Sequence, residues 1–280
     1  MKKLLTRTLV GIAYVAVMVA GTVLRPWTLL VLVFLLTALA VEEFTQIIST
    51  GKSLKVSRDV VAGPSMFLPG ATYIVCTHPE INPLVAFAPW LVLLLYAYIY
   101  ELAQKNADPI GELGLYALTQ IYIGLPLALL PVLALGPVSA QTAGEPFWLF
   151  PLATYIFLWV DDSGAYIVGS LLGRHKMVPR ISPGKTWEGA AGGMLLTLVA
   201  AMIMAHLFPF FGIWRWTGLA LVVVFFGTCG DLTESLIKRQ LGLKDSGHLL
   251  PGHGGILDRI DSMLLAVPAV IVYLAICGVA

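Results

Sequence analysis

Six carboxylates stand inside or at the edge of apolar stretches in the second half of the chain. Asp161 and Asp162 interrupt TYIFLWVDDSGAYIVGSLLG, Asp231 and Glu234 end VVVFFGTCGDLTESLIKR, and Asp258 and Asp261 open ILDRIDSMLLAVP. An ionisable group within a membrane span costs on the order of 3 kcal/mol or more, so it marks function by default. Hydration at the membrane interface would account for one such acid. It does not account for six on three stretches. At helical spacing Asp231, Glu234, Ser235 and Lys238 stand at i, i+3, i+4 and i+7 and share one face, as do Asp258, Asp261 and Ser262 at i, i+3 and i+4. The second group also lies in the first turn of its stretch, where the helix dipole favours negative charge. Acids converging at one membrane face suit a hard cation. Magnesium takes oxygen ligands and commonly uses one or two carboxylates together with substrate phosphates.

Fixed positive charges surround these acids. Arg174, Lys176, Arg180 and Lys185 occupy one loop, and Lys238, Arg239 and Lys244 the next. The inside-positive rule or contact with anionic lipid explains the sign of these loops, but not their glycines, in SPGKTWEG (Ser182–Gly189) and PGHGG (Pro251–Gly255). Glycine lets backbone N–H groups come close to phosphate, so basic side chains, Gly-rich turns and acids together point to a polyphosphate substrate. Two other motifs fail. Gly184-Lys185-Thr186 imitates the end of a Walker A loop, but Pro179 stands where its first glycine is required. His253-Gly254-Gly255 imitates a lipase oxyanion loop, yet the chain has no G-x-S-x-G elbow. For His248 and His253 a turn-stabilising or phosphate-contacting role is favoured over metal ligation.

The elements that must position these residues are membrane spans. Of 280 residues 58% are apolar and only 12% charged, with a mean hydropathy of +0.87, where a soluble protein carries about a quarter charged residues. Stretches of roughly 20 apolar residues suffice to cross the bilayer as helices. Nine are predicted: Leu9–Leu24, Trp27–Phe44, Val60–Cys76, Leu84–Leu102, Leu113–Leu135, Phe147–Leu171, Gly189–Phe211, Trp216–Ile237 and Ile260–Val279. The third is the weakest, being interrupted by Pro64, Pro69 and Gly70. The expected fold is therefore all-α, a polytopic membrane protein of about nine transmembrane helices. With a cytoplasmic N-terminus, all of the 17 Lys and Arg residues except Arg25 and Arg215 fall on the cytoplasmic side, as the inside-positive rule demands. Lys2, Lys3 and Arg7 ahead of an apolar run resemble a signal peptide, but further apolar segments follow, which favours a first membrane anchor. Cys76, Cys229 and Cys277 lie far apart in apolar stretches, so neither a disulfide framework nor a zinc site is suggested.

The chain divides near Phe147. Residues 1–145 read as an N-terminal transmembrane scaffold, whose acids Glu42, Glu43 and Glu101 lie near predicted cytoplasmic ends. Residues 146–280 read as a C-terminal catalytic region with cytoplasmic-face loops.

The segment SLIKRQLGLKDSGHLLPGHGGILDRID, Ser235 to Asp261, resembles along its whole length the signature of the phosphatidate cytidylyltransferases, or CDP-diacylglycerol synthases. DDSGAY (Asp161–Tyr166), GRHK (Gly173–Lys176), SPGKTWEG and GDLTES (Gly230–Ser235) resemble other recurrent stretches of that family. The strong resemblance runs from Leu158 to Asp261, while the N-terminal half matches in hydropathy and length alone. It implies the reaction CTP + phosphatidate → CDP-diacylglycerol + diphosphate, dependent on Mg²⁺, in a multi-pass homodimer of the cytoplasmic membrane with its site on the cytoplasmic side. The implied partners are CTP, phosphatidate and membrane lipids, and no nucleic acid polymer. The resemblance places metal on Asp231 and Asp258 and admits K⁺ as a second cation. On this basis Asp231 and Asp258 are expected to bind magnesium, with Asp261 and Ser235 completing or supporting the shell. Lys185, Lys238, Arg239 and Arg259 are expected to hold the triphosphate or the lipid phosphate, with Lys244, His253 and Ser182 as further substrate contacts. Asp161 and Asp162 either tether the basic groups or assist the metal. A transporter would use such carboxylates as relay groups, but these acids cluster near one face. A CTP-dependent kinase, or a cytidylyltransferase of another lipid, would have a similar site. An alcohol phosphotransferase expects D-G-x-x-A-R, which the chain lacks.

Overall fold

The computed structural model describes residues 2–105, 108–136, 144–247 and 254–278, with side chains from Thr8 onward. The predicted His253 contact and the greater part of PGHGG lie outside the described residues. The chain folds into helices α1 (Lys2–Val23), α2 (Pro26–Lys52), α3 (Arg58–Thr77), α4 (Pro83–Ala103), α5 (Pro109–Thr119) and α6 (Leu125–Leu135), followed by α7 (Leu149–Leu172), α8 (Trp187–Leu207), α9 (Ile213–Gln240) and α10 (Leu257–Ile276). A π-helical turn, Gln120–Gly124, joins α5 to α6 as one rod.

Each of the nine predicted spans falls on helix, α5–α6 counting once. By length and composition, 7 of these helices are apolar enough to cross a membrane. The other two are α1, whose apolar part is the shorter Thr8–Val23, and α7, whose middle carries Asp161 and Asp162. Large apolar side chains also point outward. Leu84 on α4, Leu171 on α7 and Trp214 on α9 are 80%, 77% and 84% exposed. Apolar surface on that scale is what lipid, and not water, covers. The protein is an integral membrane protein.

Local signals set the helix ends. Pro26, Pro83 and Pro109 open α2, α4 and α5, where the missing N–H is an orphan in any case. Asn82 accepts from Leu84 N at 2.9 Å and Asp108 from Gly111 N at 2.9 Å. Helix α3 holds the interior prolines Pro64 and Pro69 and is tied to the neighbouring α5–α6 rod by polar side chains. Gln120 Nε2 donates to Ser65 Oγ at 2.7 Å and to Val61 O at 3.4 Å. Thr72 Oγ1 donates to Ala128 O at 2.7 Å.

The second half is built from two close helix pairs, α7 with α8 and α9 with α10, joined through α8 and α9. Small residues make the first contact: Gly164 and Gly169 of α7 face Gly189, Gly192 and Gly193 of α8, and a Cβ at Gly164 would stand 3.0 Å from the Gly193 Cα. Gly230 of α9 meets the backbone of α10, where a Cβ would lie 2.5 Å from Asp261 O. At the far end Trp216, fully buried, is ringed by Phe150, Phe157 and Phe211 with centroids 6.0, 6.3 and 5.1 Å away. The halves are not separate bodies, since α10 packs on α6 and α2, and α7 on α6 and α1.

One feature departs from the helical expectation. Between α7 and α8 the chain forms an antiparallel hairpin, β1 (Lys176–Val178) and β2 (Ser182–Thr186), with Lys176 opposite Thr186 and Val178 opposite Ser182. Pro183 and Gly184 disfavour helix here, and Thr186, extended at φ −128°, ends the strand by capping α8, its Oγ1 accepting from Gly189 N at 3.1 Å.

Candidate active site

Three helices and the hairpin bring the predicted residues together. Asp161 and Asp162 sit in the middle of α7, Asp231, Glu234, Ser235 and Lys238 on the last turns of α9, and Asp258, Arg259 and Asp261 on the first turn of α10. Two cavities open among them. One, of about 460 Å³, has Asp161, Asp162 and Asp231 on its helical wall and Ser182, Gly184 and Lys185 on the hairpin wall. The other, of about 320 Å³, lies between α1, α7 and α10. Its polar end carries Asp162, Asp258, Arg259 and Asp261, and its flanks are apolar, with Val15, Met18 and Trp159. Asp162 lines both.

The acids and lysines are paired in a definite pattern. Lys185 Nζ reaches across from the hairpin to Asp231 Oδ2 at 2.6 Å, while Ser235 Oγ donates to Asp231 Oδ1 at 3.2 Å. Lys238 Nζ meets Asp258 Oδ1 at 2.6 Å and also Glu234, one turn back on its own helix. This second group is nearly closed to solvent, with side chains of Lys238, Glu234 and Asp258 exposed by 10%, 1% and 9%. Asp258 further accepts from Ser246 N at 3.0 Å and Gly255 N at 2.8 Å. Asp231 and Asp258, expected to share one ion, thus have separate basic partners. Asp261 Oδ1 accepts from Ser262 N at 2.7 Å. Asp161 is buried, with Oδ1 pressed on Gly193 and no hydrogen-bond partner among the described residues.

The remaining predicted contacts distribute differently. Arg239 bridges two loops, its Nε donating to Ile181 O at 3.2 Å and its Nη1 to Leu243 O at 3.1 Å. Arg259 lines the second cavity, with its carbonyl accepting from Tyr14 OH of α1 at 3.1 Å. Lys244 is exposed on the segment after α9.

Sequence reasoning missed Glu43. It lies on α2, assigned to the scaffold, yet its carboxylate is buried against the start of α10 and accepts from Ile256 N and Leu257 N, both at 2.9 Å. Its one signal was an acid set among apolar residues, AVEEF, and the neighbouring Glu42 masked it. Glu42 pairs with Arg58 near the surface. Glu188 was also unforeseen: it fastens the turn before the hairpin, accepting from Arg174 N and His175 N at 3.1 Å each.

Among the described residues, no group of three or more His, Cys, Asp or Glu side chains forms a ready metal cage. A cation held by one or two carboxylates and completed by substrate phosphates needs no such cage. Asp161, Asp162 and Asp231 on one cavity, with a buried carboxylate oxygen lacking a partner, fit that kind of site.

Known proteins resemble the chain over much of its length. A phosphatidate cytidylyltransferase of Staphylococcus haemolyticus is 29% identical over 266 residues, covering 94% of this chain and 95% of that protein. Its namesake from Haemophilus influenzae is 48% identical over 131 residues, covering 44% of this chain and 46% of its own length. That from Staphylococcus aureus (strain COL) is 45% identical over 118 residues, covering 42% and 45%. The last two matches thus span less than half the length of the curated relative. Residues 5–277 match the cytidylyltransferase family. The chain belongs to that family.

Proposed function

We propose that the protein transfers CMP from CTP to phosphatidate, giving CDP-diacylglycerol and diphosphate. The observation that carries this reading is the pair of unlike cavities meeting at Asp162, one walled by a basic Gly-containing hairpin and the other by apolar side chains with Arg259 at its polar end. A nucleoside triphosphate suits the first, a lipid phosphate with its chains in the membrane the second. A phosphate oxygen of the lipid attacks the α-phosphorus of CTP, and the bond to the β-phosphate oxygen breaks as diphosphate leaves. The attacking oxygen is already anionic, so little general-base help is needed. The barrier lies in bringing two polyanions into line, and positioning with charge neutralisation dominates, as in phosphoryl transfer generally.

Lys185 is set to exchange its contact with Asp231 for the triphosphate. Arg259 neutralises the lipid phosphate as it enters beside Asp162. Lys238 holds Asp258 oriented, with Ser235 doing the same for Asp231. Asp231, on the cavity it shares with Asp161 and Asp162, would hold Mg²⁺, with Asp258 and Asp261 of the adjoining cavity as the further expected ligands, and K⁺ would be a second cation. When bound, the metal would neutralise charge developing on the leaving diphosphate. Lys244, Arg239 and Ser182 complete the approach for CTP. The site faces the cytoplasm of an inner membrane, because the basic loops flank it, and two copies form a homodimer.

Purified protein in mixed micelles with phosphatidate and each nucleoside triphosphate in turn tests this. CTP should label the lipid, ATP, GTP and UTP should not, and a magnesium chelator should stop the reaction. Lipid labelling that ignores the base, or none with any triphosphate, would overturn it.

A further inference from the structure

Glu43 belongs to α2, yet what it binds lies more than two hundred residues away. Its Oε1 accepts from Ile256 N at 2.9 Å, and its Oε2 from Leu257 N at 2.9 Å and Ser246 Oγ at 3.2 Å. The residue is 9% exposed. The backbone closes on its carboxylate from both sides: a Cβ at Gly247 would lie 2.8 Å from Oε1, and one at Gly255 would overlap Oε2. Those contacts adjoin the contacts of Asp258, which takes Ser246 N and Gly255 N. Two carboxylates, one from each half of the chain, therefore hold Ser246 and the backbone at 255–257. The first N–H groups of a helix have no partner within it, and a negative group there is favoured by the helix dipole. Glu43 supplies both for α10, and so fixes the turn that carries Asp258, Arg259 and Asp261.

We infer that Glu43 is a positioning residue for the transfer reaction, holding Ser246 and the first turn of α10 in the orientation that Asp258 and Arg259 require. The inference rests on the cytidylyltransferase reading above. Glu43 lines neither of the two site cavities, and it acts through the backbone it binds.

Glu43→Gln keeps the size of the side chain but turns an NH₂ group toward a backbone donor. Steady-state kinetics, amide hydrogen exchange and melting temperature are measured on this variant in detergent. Glu42→Gln, on the neighbouring exposed pair with Arg58, is the control. The expected result for Glu43→Gln is a fall in kcat of roughly 10–100-fold, the usual range for groups that orient a site. KM for CTP and phosphatidate should change by less than about threefold. Exchange should quicken selectively at Ser246, Gly247 and residues 255–258, with the remaining helices protected as before. Glu43→Asp, which keeps the charge one methylene short, should fall between the two. An unchanged kcat in Glu43→Gln overturns the inference, and so does a loss accompanied by uniform loosening of all helices with a lowered melting temperature. Should the parent protein transfer no cytidylate, the reaction assigned above fails on its own. The exchange measurement then decides Glu43 separately: selective loosening upholds the clamp, and unchanged exchange removes it.

Discussion

At the residue scale, the two lysine pairs differ in exposure, and the difference assigns them different work. Lys238 is enclosed with Glu234 and Asp258, whereas Lys185 and Asp231 are 25% and 28% exposed on an open cavity. Removing one partner of an enclosed pair strands a buried charge and costs about 3–5 kcal/mol. Lys238→Met should therefore lower the melting temperature in detergent clearly, as well as activity. Lys185→Met should lower melting less, because a half-buried pair on an open cavity is partly screened by solvent, but should raise KM for CTP and lower kcat. Equal melting shifts for the two would contradict this division. Asp231→Asn should lower kcat by on the order of 100-fold or more while the protein still inserts, since it removes charge where electrostatic positioning dominates. Near-normal turnover would take Asp231 out of the site. Six acids and their helical faces were legible in the sequence, because period and hydropathy expose them. Their partners were not. Which lysine meets which acid depends on the reach of a hairpin and on helix rotation, and neither leaves a trace in local spacing. Glu43 stayed hidden for the same reason: an acid near a span end reads as hydrated until the segment it binds is seen beside it.

At the element scale, the site depends on how closely bare backbone lets helices approach. Gly230 brings α9 onto α10 beside Asp231 and Asp261, with Asp261 O 2.5 Å from where its Cβ would be. Gly114 on α5, by contrast, has nothing within 4 Å of the added atom. Gly230→Val should force the pair apart at a cost of about 1–3 kcal/mol and sharply reduce activity, while Gly114→Val should leave activity intact. Similar activity in the two would show that the α9–α10 approach does not set the geometry. Most span ends were legible to within about four residues, since an apolar run of that length has few other uses, but α1 starts at Lys2, ahead of Leu9, and α2 runs to Lys52, well past Phe44. The hairpin was not, being a short extended piece at the membrane surface with no alternating pattern; only Pro183 and Gly184 hinted that helix stops there. Thr186 is where strand becomes helix, and Thr186→Ala should cost about 1 kcal/mol through the lost cap, read as faster amide exchange at Trp187–Ala190.

For the whole molecule, the division at Phe147 into scaffold and catalytic region describes the distribution of charge better than it describes the structure. Glu43 from α2, Tyr14 from α1 and the contact of α6 with α10 all join the first half to the site. The placement of basic residues gives a sided prediction. In a cysteine-free background, Lys244→Cys should react with an impermeant maleimide only from the cytoplasmic side, and Arg25→Cys only from the opposite side. The reverse pattern would move the site to the other face and deny it cytoplasmic CTP.

The most direct test uses CTP labelled at one phosphate at a time. If the lipid attacks the α-phosphorus, label at the α-position must appear in the lipid product and label at the γ-position only in diphosphate, one released for each lipid converted. Label from the γ-position on the lipid would mean phosphoryl transfer in place of cytidylyl transfer, and would contradict the assignment of the two cavities to a cytidylyl donor and its lipid acceptor.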